Sequence, residues 1–192
     1  MSLMLSQDAP ADALLDRDPL ALLIAMLLDQ QVPMEWAFRG PFELKQRLGG
    51  RLDADEIAAM DVDKLRAVFS DKPALHRYPG SMAERVHALA RYIVDEYGGD
   101  AGRIWADATT GADLLARLQA LPGYGKQKAQ IFVAILSKRL AVAPTGWEQA
   151  AGDYGAPGYR SVADVDGPGA LAQVREYKRA VKAKAKGAKS GV

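Results

Sequence analysis

Apolar and polar positions recur with helical spacing along most of the chain. Asp18-Pro19 is a start signal, because aspartate caps the first amides and proline suits the first helical position. The helix that follows, LALLIAMLLDQQ, is apolar nearly all round, which predicts a central buried element ending near Pro33. A helical segment from Trp36 to Leu48 comes next, with an expected break at Gly40-Pro41 and a stop at Gly49-Gly50. Asp53 or Asp55 is placed to cap DEIAAM, and Asp61 to cap VDKLRAVF. Beyond the loop SDKPALHRYPG, Ser81 is expected to open an amphipathic helix. Its positions Met82, Val86, Leu89, Ile93 and Val94 share one face, and Gly98-Gly99 ends it. Thr110 to Ala120 places Leu114, Leu115, Leu118 and Leu121 on one side of another helix. After a glycine hairpin, Ala129, Phe132, Val133, Leu136 and Leu140 mark the next.

From Ala143 to Gly169 the chain is rich in glycine and proline and loses its periodicity. Connectors of that length are more often functional or mobile than passive. A last helix is expected from about Ala170. No stretch alternates with strand period, and no internal repeat is visible. The pattern predicts an all-α fold in one unit over 1–192: core helices about 18–143, an irregular segment 144–169, and a C-terminal helix with a basic tail over 170–192. Met1-Ser2-Leu3 before Met4 has the look of a cloning remnant and is left out of this reading.

Composition narrows the chemistry. The chain is 49% hydrophobic, enough for a real core, and contains no cysteine. Disulfides, thiolate nucleophiles and cysteine-bound zinc or iron–sulfur sites are excluded together. Two histidines, His76 and His87, are too few for a histidine metal cage and are expected in structural or surface roles. The start of the chain lacks the basic and apolar regions of a signal peptide. The most apolar run, LALLIAMLL, is far short of the ~18 residues of a membrane span. A soluble, cytoplasmic, monomeric protein is expected. The net charge of +1 hides an asymmetry: residues 171–192 hold seven basic residues and one acid, and the other 170 residues carry −5. A basic tail on a mildly acidic body suits either contact with a polyanion or simple solvation.

The stretch LPGYGKQKA, Leu121 to Ala129, carries the most specific signal. Glycines give the backbone freedom for a tight turn between two helices. The helix behind the turn starts near Lys126, and its first amides lack internal partners while the helix dipole makes that end positive. Gly123 and Gly125 leave room for close approach, and Lys126 and Lys128 add charge. The arrangement suits one backbone phosphate of DNA, holding position without reading sequence. An ordinary helical corner is the plain alternative, but a Leu-Pro-Gly-X-Gly-Lys order between two amphipathic helices is much more specific than a lone Gly-X-Gly.

With Lys126 and Ala129 following it, Leu121-Pro122-Gly123-Tyr124-Gly125 resembles the helix-hairpin-helix of the DNA glycosylase superfamily that includes endonuclease III and the adenine glycosylase MutY. LLIAMLLDQQ, Leu22 to Gln31, resembles that superfamily's first core helix, whose terminal glutamine contacts DNA at the lesion; Gln31 is the matching position. RYPGSMAERV, Arg77 to Val86, resembles the loop that inserts a wedge residue, and Tyr78 is the nearest match. The resemblance covers roughly residues 18 to 143. It implies a two-lobed helical fold, double-stranded DNA as partner, and flipping of the target base from the stack. It also implies DNA contact by Gly123, Tyr124, Gly125, Lys126, Lys128, Gln31 and Tyr78. A monovalent cation held by the backbone carbonyls of Gln119, Leu121 and Gly123 is implied as well.

The sequence departs from that family at two points. Gln127 stands where lyase members carry a lysine nucleophile, and a glutamine cannot form a Schiff base. Lys126 and Lys128 flank it but point about 100° away round the helix. Pro144 or Thr145 stands where the family places a catalytic aspartate. A hydrolytic glycosylase needs a carboxylate to stabilise the sugar cation or orient water. Asp153 and Glu148, in the irregular segment, are favoured slightly over Asp29, beside the DNA-facing end of the first core helix; each also has a purely structural reading. The family's iron–sulfur cluster is impossible without cysteine. Among Trp36, Tyr78, Trp105, Trp147, Tyr154 and Tyr159, Trp36 and Trp147 are the favoured pocket aromatics. The expected function is base excision repair by a monofunctional DNA glycosylase, with a non-catalytic binder of damaged or distorted DNA as the alternative.

Overall fold

The computed structural model describes residues 3–189, without the side chains of 168 and 184–189. The described residues are all-α, with one isolated bridge between Thr110 and Thr145. The order is α1 (Ala9–Arg17), α2 (Pro19–Leu28), α3 (Met34–Arg47), α4 (Ala54–Ala59), α5 (Val62–Ser70) and α6 (Pro79–Tyr97). Then follow α7 (Arg103–Ala106), α8 (Gly111–Ala120), α9 (Lys126–Arg139), α10 (Trp147–Ala151) and α11 (Pro168–Lys189). Single 3₁₀ turns at Gly152–Tyr154 and Val162–Asp164 interrupt the segment between α10 and α11.

The caps behave as the sequence suggests. Asp18, Asp53, Asp61 and Thr110 accept first-turn amides of α2, α4, α5 and α8 with their side chains. Gly98 ends α6 in the left-handed conformation, at φ 62°. α2 is buried from Leu20 to Leu28 without a solvent face. It packs on α3 and α6 on one side, where α4, α5 and α6 pack together. On the other side α8, α9 and α10 form a second group, tied to α2 by hydrogen bonds from the hairpin described below.

Four expectations need correction. α2 stops at Leu28, not near Pro33, because Asp29 leaves helical backbone and Gln31 is left-handed at φ 58°. α3 runs unbroken through Gly40-Pro41, both buried. A Cβ on Gly40 would stand 2.7 Å from Leu28 Cδ1, so glycine there serves the close packing of α3 on α2. α6 opens at Pro79, two residues before Ser81. The region before Asp18 is part of the fold: Leu3 and Leu5 are buried, and Asp8 caps the unexpected α1. Buried Asp12 holds this segment by accepting the amides of Leu5 and Ser6 and the Ser6 hydroxyl on one carboxylate oxygen.

Candidate nucleic-acid interface

The hairpin is built against α2. Leu121 caps the end of α8, and the Tyr124 amide donates back to its carbonyl at 3.1 Å. Gly123 is left-handed at φ 83°, and a Cβ there would lie 2.4 Å from Leu27 Cδ1. The left-handed conformation favours glycine at this position, and its bare Cα lets the Leu27 side chain lie close. Gly125 is the N-cap of α9, makes no side-chain cap, and has open space where a Cβ would be. The first amides of α9 therefore face outward with no side-chain acceptor at the cap, beside exposed Lys126.

Tyr124 and Lys128, both expected at the phosphate, turn inward. The Tyr124 ring is 4% exposed, stands edge-on to Phe132, and its hydroxyl donates to the Leu23 carbonyl at 2.6 Å. Lys128 lies two residues past Lys126, about 200° round the helix, which aims it at α2. Its ammonium donates to the Met26 and Leu27 carbonyls at 2.8 and 2.7 Å. These belong to the last turn of α2, where carbonyls lack intrahelical partners. Burial brings the Lys128 pKa down to about 8, with the charge of Asp29 opposing the shift.

The end of α2 is tied equally to the loop before α6. Buried His76 accepts the Tyr78 amide on Nδ1 at 3.0 Å. The proton is thus on Nε2, which donates to the carbonyls of Leu28 and Gln30 at 3.2 and 3.1 Å. Burial lowers the His76 pKa, so the ring is neutral near pH 7. Arg47 of α3 grips the same loop further back, donating to the carbonyls of Val68, Asp71 and Pro73 at 2.8, 3.0 and 2.6 Å. At the tip, Tyr78 is 42% exposed with the Arg77 guanidinium over its ring. Gln31 is exposed at the surface, while Gln30 turns back and accepts from Arg85. Gln31, Tyr78 and the hairpin amides thus surround one end of α2. His87 binds the Met60 carbonyl away from this edge.

The three acids occupy different settings. Glu148 and Asp153 are solvent-exposed. Asp153 lines a cleft of about 520 Å³ together with Lys126, Gln127, Gln130, Gly152 and Tyr154. Gln127 donates to the Tyr154 hydroxyl there at 2.9 Å. Asp29 caps the end of α2 and is largely withdrawn from solvent, and that burial raises its pKa. The charges of Lys178 and Lys128 oppose the shift, while Glu35 adds to it. Glu35, in the first turn of α3, accepts from Arg175 at 2.6 Å. Its other carboxylate oxygen is buried without a hydrogen-bond partner among the described residues.

Pro144 and Thr145, at the position of the missing aspartate, serve the backbone. Thr145 accepts the Gly111 amide at 2.8 Å, and Pro144 accepts that of Trp147 at 3.0 Å. Trp147 is half-buried against the core, and Trp36 is exposed on α3. Trp105 packs beside Phe132, and Tyr159 lies at the surface. His76 takes the structural role expected of it, whereas sequence reasoning missed Arg47, Glu35 and Arg175 as builders of this edge. The one sequence signal for Asp29 was an acid directly after a fully apolar run, LALLIAMLLD.

A family model described as HhH-GPD superfamily base excision DNA repair protein matches residues 24–185. No curated protein and no solved structure matches the chain significantly. The match runs from the middle of α2 into α11 and includes the hairpin, the loop that presents Tyr78 and the end of α2 with Asp29: the chain belongs to the HhH-GPD superfamily of base excision DNA repair proteins.

Proposed function

We propose that this protein is a monofunctional DNA glycosylase that hydrolyses the N-glycosidic bond of a damaged base flipped out of double-stranded DNA, with Asp29 as its carboxylate. The observation that carries the reading is the setting of Asp29. It is a withdrawn acid at the end of α2, between the hairpin lysine Lys128 and the loop that presents Tyr78. Departure of the base builds positive charge on the sugar, and a half-buried carboxylate at that point would stabilise it. The C1′–N bond breaks and a C1′–O bond forms to water, whose protons end on the sugar hydroxyl and the released base. Gln127 offers no amine and is held by Tyr154, so water takes the sugar. The hairpin amides and Lys126 position a phosphate, and Gln31 and Tyr78 face the lesion. A monovalent cation is proposed on the carbonyls of Gln119, Leu121 and Gly123, of which that of Leu121 also accepts the Tyr124 amide at 3.1 Å.

A panel of duplexes bearing uracil, alkylated, deaminated or oxidised bases tests this. Release of at least one base is expected, leaving an abasic strand uncut until alkali treatment. Asp29→Asn should slow release by about 100-fold or more while binding persists. Glu148→Gln and Asp153→Asn should not. Binding without release from any duplex would defeat the enzymatic reading. It would favour a non-catalytic protein that recognises damaged DNA, a second reading supported by Pro144 and Thr145 in place of the expected acid.

A further inference from the structure

α11 extends well beyond the body it is rooted in. Ala170, Leu171 and Val174 are buried, and Tyr177 is half-buried with Arg160 over its ring. From Lys178 to Ala183 every residue is exposed. A helix without an apolar face gains nothing from packing, so its composition must suit another role. From Arg175 to Lys189 it carries seven basic residues and one acid, on a chain whose remainder is acidic. Its root is not placed at random. Arg175 binds Glu35 at 2.6 Å, and Lys178, one turn on, lies close enough to Asp29 to act on its charge. The basic helix thus leaves the body at the edge formed by the end of α2, where Gln31 and Tyr78 are presented.

We propose that α11 is a second DNA-binding arm, which follows the backbone of the duplex flanking the lesion and contacts its phosphates through Lys178, Arg179 and Lys182. This rests on the reading of the α2 edge as the DNA-facing site. From Lys178 to Lys189 the helix spans about 18 Å, or about five base pairs at 3.4 Å each. The hairpin holds the strand near the flipped base, and the arm lengthens the footprint to one side. Glu35 holds the root of the arm through Arg175, so Lys178, Arg179 and Lys182, all exposed, stay available to phosphate.

The test is equilibrium binding to undamaged duplexes of about 12 and about 24 base pairs over a range of salt. The proteins compared are the wild-type chain, Lys126→Gln and the triple variant Lys178→Gln, Arg179→Gln, Lys182→Gln. Each lost phosphate contact should reduce the log–log salt slope by about 0.9, so the triple variant should lose about 2 or more. It should also lose the wild-type preference for the longer duplex, while its circular dichroism stays that of the folded protein. A triple variant with the wild-type slope and length preference would overturn the arm. If Lys126→Gln is weakened in the same experiment, the hairpin reading stands regardless. A wild-type chain that binds neither duplex would sink both. Vesicles of anionic lipid form a control: tighter binding to them than to duplex, abolished in the triple variant, would assign α11 to a membrane surface and overturn the proposal.

Discussion

Asp29 sits where two opposing effects meet, and the balance has a pH signature. Burial lifts its pKa above the ordinary 3.8, and the cations of Lys128 and Lys178 hold it from rising further. If the ionised form supports base release, activity must fall as pH drops through that raised value. The acid limb of single-turnover release should therefore lie above the ordinary 3.8 of an aspartate, and Lys128→Met should move it higher. His76 carries a second signature, in stability. Its folded pKa is below the ordinary 6.5, so the unfolded chain binds the extra proton. Stability from this group is complete above that value and is lost as pH falls beneath it. His76→Asn should cost about 2 kcal/mol near neutrality, because a buried amide and two carbonyls lose their partner. Denaturant titrations should show that deficit narrowing at lower pH. Residue roles were the least legible part of the sequence. Lys126 and Lys128 look alike on paper, yet two residues of helical rotation send one to solvent and the other beneath α2. Which face is inward depends on α2, which lies about a hundred residues earlier in the chain.

At the scale of elements, the joint between α8 and α10 is backbone-to-backbone, and a glycine marks it. A Cβ on Gly111 would stand 2.5–2.6 Å from the backbone of Gly146 and Trp147, with no flexible side chain to yield. Gly111→Ala should separate α8 from α10 and lower stability by about 3 kcal/mol or more. Gly123→Ala meets a movable side-chain tip, Leu27 Cδ1, but also an unfavourable φ, and should cost about 1–3 kcal/mol. Thermal melts of the two variants give the order directly. Local signals placed helices well where caps and periodicity agreed, as at Asp53, Asp61, Thr110 and Gly98. They failed where packing overrode propensity. Pro41 reads as a helix break, yet both it and Gly40 are buried in an unbroken α3 that lies close on α2. The long connector read as irregular holds α10 and two 3₁₀ turns, too short for periodicity to reveal.

For the whole molecule, the chain before Asp18 changes the account of where the core begins. Leu3 and Leu5 are almost fully buried, so this segment completes the packing around α1. Leu5→Ala should lower stability by about 2–4 kcal/mol, measurable by urea titration with an unchanged m-value. A lone pair of leucines has no period to read, which is why the sequence pattern passed over it. Charge asymmetry, by contrast, was visible at once, because it is a property of composition and needs no contacts. What the sequence could not supply is where the basic helix is rooted, and the Arg175–Glu35 pair, 140 residues apart in the chain, places it beside α2.

The grip of Arg47 on the Val68 carbonyl of α5 and on the loop carbonyls of Asp71 and Pro73 bears on how such a protein would search. The loop that presents Tyr78 is held before any DNA arrives, so little ordering entropy, at about 1–2 kcal/mol per residue, remains to be lost on contact. If Tyr78 meets the duplex as proposed, a prebuilt tip would press on every base step in the same way. Discrimination then passes to the duplex: a step with weakened stacking gives way under the tip and a sound one does not, so local softness of the DNA would choose where the protein stops.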